Sequence, residues 1–129
     1  MHALVVDDSR AMRTLIGRML KQLGFEILEA GHGQEALERL RTGPQPAVAM
    51  IDWNMPMMNG LELVKAIRNE PRWQAVTLVM VTTESELGQV EKALLAGASE
   101  YVMKPFTADI LLGKLSLLGL TPAETAVAS

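Results

Sequence analysis

The sequence predicts an α/β domain: a doubly wound (βα)5 sandwich of three layers, with a parallel five-stranded sheet between two layers of helices. Strand-like and helix-like stretches alternate strictly through five units, the order that a parallel sheet with crossover helices requires. The strand-like stretches are continuous apolar runs, as in Ala47 to Ile51 and Val76 to Val81, so both of their faces are buried. With 129 residues, 49% of them hydrophobic, the chain can build one core without staples. Right-handed crossovers leave few topologies. In such sheets function sits at the carboxyl ends of the strands, near the point where strand order reverses.

Ala3 to Val6 is the first strand, ended by Asp7-Asp8-Ser9, where Ser9 or Asp8 can cap the following helix. Met12, Leu15, Ile16, Met19, Leu20 and Leu23 recur at helical spacing and form its inward face; Gly24 stops it. Phe25 to Ala30 is the second strand, and Gly31-His32-Gly33 is a turn in which His32 is expected at the surface without a role. Gln34 to Leu40 is a helix with Ala36, Leu37 and Leu40 inward, stopped by Gly43-Pro44 and Pro46. The third strand, Ala47 to Ile51, runs into Asp52. Asn59-Gly60 opens a third helix carrying Leu61, Leu63, Val64 and Ile67, closed before Pro71; Trp73 is expected in a loop over the sheet edge. Val76 to Val81 is the fourth strand. Glu86 to Ala96 is a fourth helix with Leu87, Val90, Ala93 and Leu94 inward, and Gly97 ends it. Tyr101 to Met103 is a short fifth strand. Thr107 or Asp109 caps a last helix through Leu111, Leu112, Leu115 and Leu118. Residues 1–120 are expected to make one domain, and Thr121 to Ser129, small and aperiodic, a flexible tail.

Composition removes several functions. There is no cysteine, hence no disulfide and no thiolate metal site, which fits a reducing compartment. The net charge of −3, with acids and bases interspersed, offers no basic stripe for nucleic acid and no basic amphipathic helix for an anionic membrane. No apolar run approaches the ~20 residues that span a bilayer, and the start lacks the pattern of a signal peptide. A soluble, cytoplasmic protein is the expectation, with neither nucleic acid nor membrane as a partner.

The residues that close the strands carry the chemistry. The first, third, fourth and fifth strands end in Asp7 and Asp8, Asp52, Thr82 and Thr83, and Lys104. Polar strand ends are ordinary one at a time; three acids, hydroxyls and a lysine on one edge are not. Carboxylates gathered there raise each other's pKa unless positive charge intervenes. Lys104 supplies one charge, and the oxygen-only donor set suits Mg²⁺, with Mn²⁺ as a substitute. A carboxylate beside a metal, a lysine and a hydroxyl can accept a phosphoryl group as an aspartyl phosphate. Asp52, on the central buried strand, is the best nucleophile; Asp7 and Asp8, on a turn, are better placed to hold metal.

These stretches, Val5-Val6-Asp7-Asp8-Ser9, Met50-Ile51-Asp52-Trp53-Asn54-Met55-Pro56, Asn59-Gly60, Val81-Thr82, Gly97-Ala98 and Tyr101-Val102-Met103-Lys104-Pro105-Phe106, resemble the receiver domains of two-component response regulators. The likeness runs from residue 3 to about 118 and is nearest to the single-domain chemotaxis regulators. It implies a flavodoxin-like sheet of strand order 2-1-3-4-5. It also implies Asp52 as phospho-acceptor, and Mg²⁺ on Asp8, Asp52 and the backbone carbonyl of Asn54, with Asp7 acting through water. Thr82 and Lys104 would contact the phosphoryl group, with Thr83 beside them. Lys104-Pro105 would be a cis peptide. Thr82 and Tyr101 would form the switch, and Asn54 and Glu84 would tune loss of the phosphate. The phosphodonor would be a histidine kinase or histidine phosphotransfer domain, and the only catalysis self-phosphorylation and autodephosphorylation.

On strand periodicity Tyr101 faces away from Lys104, toward the fourth helix. The face of the fourth helix, fifth strand and fifth helix, with Leu87, Val90, Tyr101, Met103 and Lys114, is the expected contact for a downstream protein or for a homodimer. Its helix carries Glu84, Glu86 and Glu91 against one base, Lys92, and so is less basic than in chemotaxis regulators. Met12, Met19 and Met50 are expected in the core, and Met55, Met57 and Met58 as exposed apolar residues for a kinase contact. Other readings are a phosphate sink or relay intermediate, the receiver part of a longer regulator, and a Mg²⁺-dependent phosphohydrolase. The last usually needs a second acid and a cap, neither of which is evident.

Overall fold

The computed structural model describes residues 1–120; the expected tail, 121–129, lies outside the described residues. Five parallel strands form one sheet of order β2-β1-β3-β4-β5. They are β1 (His2–Val6), β2 (Glu26–Ala30), β3 (Val48–Asp52), β4 (Thr77–Thr82) and β5 (Glu100–Met103). Between and after them come α1 (Arg10–Gln22), α2 (Gly33–Thr42), α3 (Gly60–Arg68), α4 (Val90–Ala96) and α5 (Ala108–Leu117). Among these residues no helix is long and apolar enough to cross a membrane.

The period of two along each strand divides the core. Leu4, Val6, Ala49, Ile51, Leu78 and Met80 face one way, onto Ala36, Leu37 and Leu40 of α2, Leu63, Val64 and Ile67 of α3, and Ala93 of α4. Ala3, Val5, Val48, Met50, Val79, Val81 and Val102 face the other way, onto Ile16 and Leu20 of α1 and Leu111 and Leu115 of α5. Every residue of β3 is buried, because this strand lies in the middle of the sheet. The direction of winding reverses between β1 and β3, which opens the crevice above their carboxyl ends.

Helix starts follow local chemistry. Ser9 caps α1, accepting from Met12 N at 3.3 Å, and Thr107 caps α5, accepting from Ile110 N at 3.3 Å. Asn59 and Glu62 form a reciprocal capping box at α3, at 2.9 and 3.0 Å. Gly60 follows that cap because nothing larger fits: a Cβ there would stand 2.7 Å from the Asp52 carbonyl oxygen and 3.0 Å from Trp53 Cα.

Several expectations need correction. The expected helix over Glu86–Ala96 is a 3₁₀ segment from Glu84 to Gln89, and only Val90–Ala96 is α-helical. Glu86 reaches back to the Thr83 N–H at 2.9 Å and ties a tight first turn, and Gly88 then weakens α-helical continuation. Leu87 and Leu94 are accordingly exposed; Val90 and Ala93 are the buried residues of α4, with Ala96 partly buried against the core. Leu15 is also exposed, at the rim of a groove between α1 and the segment Lys104–Phe106. Met12 and Met19 are half-buried on that groove, whereas Met50 is core. His32 has a role after all: its Nδ1 caps α2, accepting the Glu35 N–H at 3.2 Å. Trp73 sits in a 3₁₀ turn, Pro71–Trp73, and is a core residue. Of the three loop methionines only Met57 is exposed; Met55 is buried, and Met58 packs against Gly33.

Candidate functional site: an acidic cluster with one lysine

Strand parity builds the site. Asp7 continues the row of Ala3 and Val5, Asp52 that of Val48 and Met50, and Lys104 that of Val102, so all three project on the α1–α5 side. Oxygens of Asp7, Asp8 and Asp52 all lie within 4.8 Å of one another. The Lys104 ammonium stands 3.1 Å from Asp52 Oδ1 and 3.7 Å from Asp7 Oδ2. The Lys104-Pro105 peptide is cis, as expected.

The acids differ in their surroundings. Asp7 is buried, and its Oδ1 accepts the Ser9 N–H at 2.8 Å. Its Oδ2 is buried without a hydrogen-bond partner. Asp8 is exposed at the mouth. Asp52 is buried, and burial followed by the charge of Asp7 pushes its carboxyl up to about 6, against the opposing pull of Lys104. Burial also raises Asp7, while the Ser9 hydrogen bond and Lys104 pull it back. Arg13 had no assigned part, yet its Nη1 donates to the Asp7 backbone carbonyl at 2.6 Å and its Nε meets Glu29 Oε1 at 3.2 Å. Its position one turn into α1, on the side facing β2, was the available signal.

Three buried or clustered carboxylates around one ammonium leave excess negative charge, and Asp7 Oδ2, which accepts no hydrogen bond, has only the Lys104 ammonium at 3.7 Å beside it. Hard oxygen donors of this kind fit Mg²⁺ or Mn²⁺ and fit poorly any ion that needs nitrogen or sulfur.

Thr82 belongs to the other row. It follows Leu78 and Met80, toward α3 and α4, and its hydroxyl is fully buried without a hydrogen-bond partner. Tyr101 pairs with Met80 across β4–β5 and packs on the same side, as its parity predicts. Thr83 does not turn its hydroxyl to the cluster as a free donor; it shares a 2.9 Å hydrogen bond with Ser85. Asn54 and Glu84 are exposed beyond the ends of β3 and β4. Leu87 and Met103 are exposed, Tyr101 and Lys114 half-buried, while Val90 is buried and can offer little to a partner. Beside the site, Met12, Leu15, Ile16, Met19, Lys104, Pro105 and Phe106 line an apolar groove of about 270 Å³.

Comparison with known proteins gives a family for the chain. Residues 3–116 match the response regulator receiver domain family. The chain is 46% identical to chemotaxis protein CheY1 of Helicobacter pylori over 119 residues, 92% of this chain and 96% of that protein. It is also 46% identical to a CheY homologue of Campylobacter jejuni over 128 residues, 98% of each. The solved structure of Vibrio cholerae CheY4 superposes with a TM-score of 0.83 at 33% identity, covering 90% of this chain and 96% of that one.

Proposed function

The chain belongs to the response regulator receiver domain family, and from that premise we propose that Asp52 is its phospho-acceptor and that the phosphorylated form changes partner binding in a cytoplasmic, chemotaxis-type pathway. One observation carries the reading: a buried carboxylate 3.1 Å from a lysine, inside a cluster of three acids at the winding reversal.

The roles follow from chemistry. With its pKa near 6, Asp52 is ionised at neutral pH and can attack phosphorus. Its oxygen gains the bond, and the imidazole nitrogen of a phosphohistidine donor departs. Asp8 and Asp52, with the Asn54 carbonyl, would hold Mg²⁺, and Asp7 would act through its ordered waters. Bound there, the ion would neutralise charge on the phosphoryl oxygens. Lys104 moves its ammonium from Asp52 to the transferred group, as the compact charge on its flexible stem allows. The Thr82 hydroxyl, buried without a partner on the α3–α4 side, would turn over the end of β4 to reach the same group. Asn54 and Glu84 flank the mouth and tune how readily water removes the phosphate. The apolar groove beside Lys104 suits docking of a histidine kinase or phosphotransfer helix. The α4–β5–α5 face, with Leu87, Tyr101, Met103 and Lys114, is the output contact for a target protein or a second copy.

Acetyl phosphate with Mg²⁺ tests the assignment. Wild type should take up one phosphate per chain and lose it slowly. The Asp52→Asn variant should take up none while keeping its fold by circular dichroism. Undiminished labelling of that variant would sink the assignment, and sustained turnover of small phosphate esters would favour a phosphohydrolase.

A further inference from the structure

Tyr101 is the chain's single tyrosine. Its ring is half-buried against the α3–α4 side of the core. Lys114, from α5, places its ammonium 4.6 Å from the ring centroid. The same ammonium lies 3.5 Å from Glu100 Oε1. That oxygen also accepts the backbone N–H of Tyr101 at 2.9 Å. The lysine is therefore held over the ring by a carboxylate that is itself fastened to the ring's own backbone. Both charged side chains are largely shielded, at 28% and 27% exposed.

The ring shares its side of the sheet with Thr82. Tyr101 pairs with Met80, and Thr82 is the next residue of that row toward the site. A ring that moves toward Thr82 leaves Lys114 behind, because the ammonium is tethered to Glu100. Cation–π attraction fades beyond about 6 Å from the centroid, so the move forfeits it.

We propose that Glu100 and Lys114 are positioning residues: a clamp that holds Tyr101 in its half-exposed position and opposes its movement toward Thr82 when Asp52 is phosphorylated. This rests on Thr82 and Tyr101 being the switch pair. The clamp and a phosphoryl group then bias one two-state ring in opposite directions. Weakening the clamp must tighten binding at Asp52 by the factor by which it frees the ring.

The test uses the full chain with 3-fluorotyrosine at its single tyrosine, read by ¹⁹F NMR during titration with beryllofluoride and Mg²⁺. Wild type is compared with Glu100→Gln and Lys114→Met. In both variants the unloaded resonance should move toward the loaded wild-type position, by about a threefold rise in the ratio of moved to unmoved ring. The half-saturating beryllofluoride concentration should fall by a similar factor. Removing an acid and removing a base perturb the fluorine field in opposite senses, so only a population change carries both variants the same way. Unloaded resonances at the wild-type position, or displaced in opposite directions with unchanged half-saturation, would overturn the clamp while leaving the switch pair standing. A wild-type resonance that does not move on loading would overturn both.

Discussion

At the residue scale, Asp52 stands between opposing electrostatic influences. Burial and the neighbouring Asp7 push its carboxyl up to about 6, from an ordinary value of 3.8. Because the folded chain holds this proton more tightly than the unfolded one, the stabilising contribution is complete below pH 4. It is lost as pH rises through about 6. In metal-free buffer above that pH, Asp52→Asn should raise unfolding stability by about 2 kcal/mol. The gain should vanish near pH 4, where the aspartate is protonated in the folded chain. Urea unfolding at several pH values would show it, and a variant less stable than wild type at pH 7.5 would refute it. Met57 is a second residue held against its preference, at φ +67° in the left-handed region and almost wholly exposed, five residues beyond Asp52.

At the element scale, α3 and the turn before β5 are set by two residues that do no chemistry. Gly60 lets α3 begin against the end of β3, since a Cβ would meet the Asp52 carbonyl oxygen at 2.7 Å and Met80 Cε at 2.8 Å. The methionine tip can yield; the backbone cannot without moving Asp52. Gly60→Ala should therefore cost about 2 kcal/mol or more of stability and slow acetyl phosphate labelling at least severalfold. Normal labelling in a stably folded variant would show that β3 tolerates the shift. Arg68 donates to carbonyls of two segments: Gly97 at 2.9 Å before β5, and Trp73 at 3.1 Å, Gln74 at 3.4 Å and Val76 at 2.8 Å before β4. Burial lowers its pKa, but no acid is needed, because the guanidinium fork is satisfied by these oxygens. Its stem also covers Gly97, whose φ is +120°. Arg68→Met should cost about 3 kcal/mol, and Arg68→Lys should recover little, since an ammonium cannot reach the same oxygens together. Melting of the two variants would decide.

At the scale of the molecule, sheet order brings the acids together. β1 and β3 are neighbours although α1, β2 and α2 separate them in sequence, so Asp7, Asp8 and Asp52 converge only when the whole sheet has formed. The proposed binding of Mg²⁺ by these acids would thus be linked to folding. At a Mg²⁺ concentration ten times its Kd, the melting temperature should rise by about 3–6 °C, and chelation should reverse the rise. Asp8→Asn and Asp52→Asn should abolish it. Equal shifts in wild type and both variants would mean that the ion binds elsewhere.

The sequence by itself determined the alternation of strands and helices, the buried character of β3, the opening of α3 at Asn59-Gly60, a choice of two caps each for α1 and α5, and the acids, hydroxyls and lysine at the strand ends. Those features are written in local periodicity and in side-chain chemistry, which act over a few residues. Strand parity even placed Tyr101 correctly, opposite Lys104. Other features needed the fold. The 3₁₀ start before α4 and the exposure of Leu15, Leu87 and Leu94 depend on what lies across from each helix, and spacing along one helix cannot report that. The bond of Arg68 to the Gly97 carbonyl, the pairing of Arg13 with Glu29 and the meeting of Lys114 with Glu100 over Tyr101 join residues 14 or more positions apart in the chain. Only packing decides such contacts, because each partner alone is an ordinary surface charge until the sheet and helices enclose it.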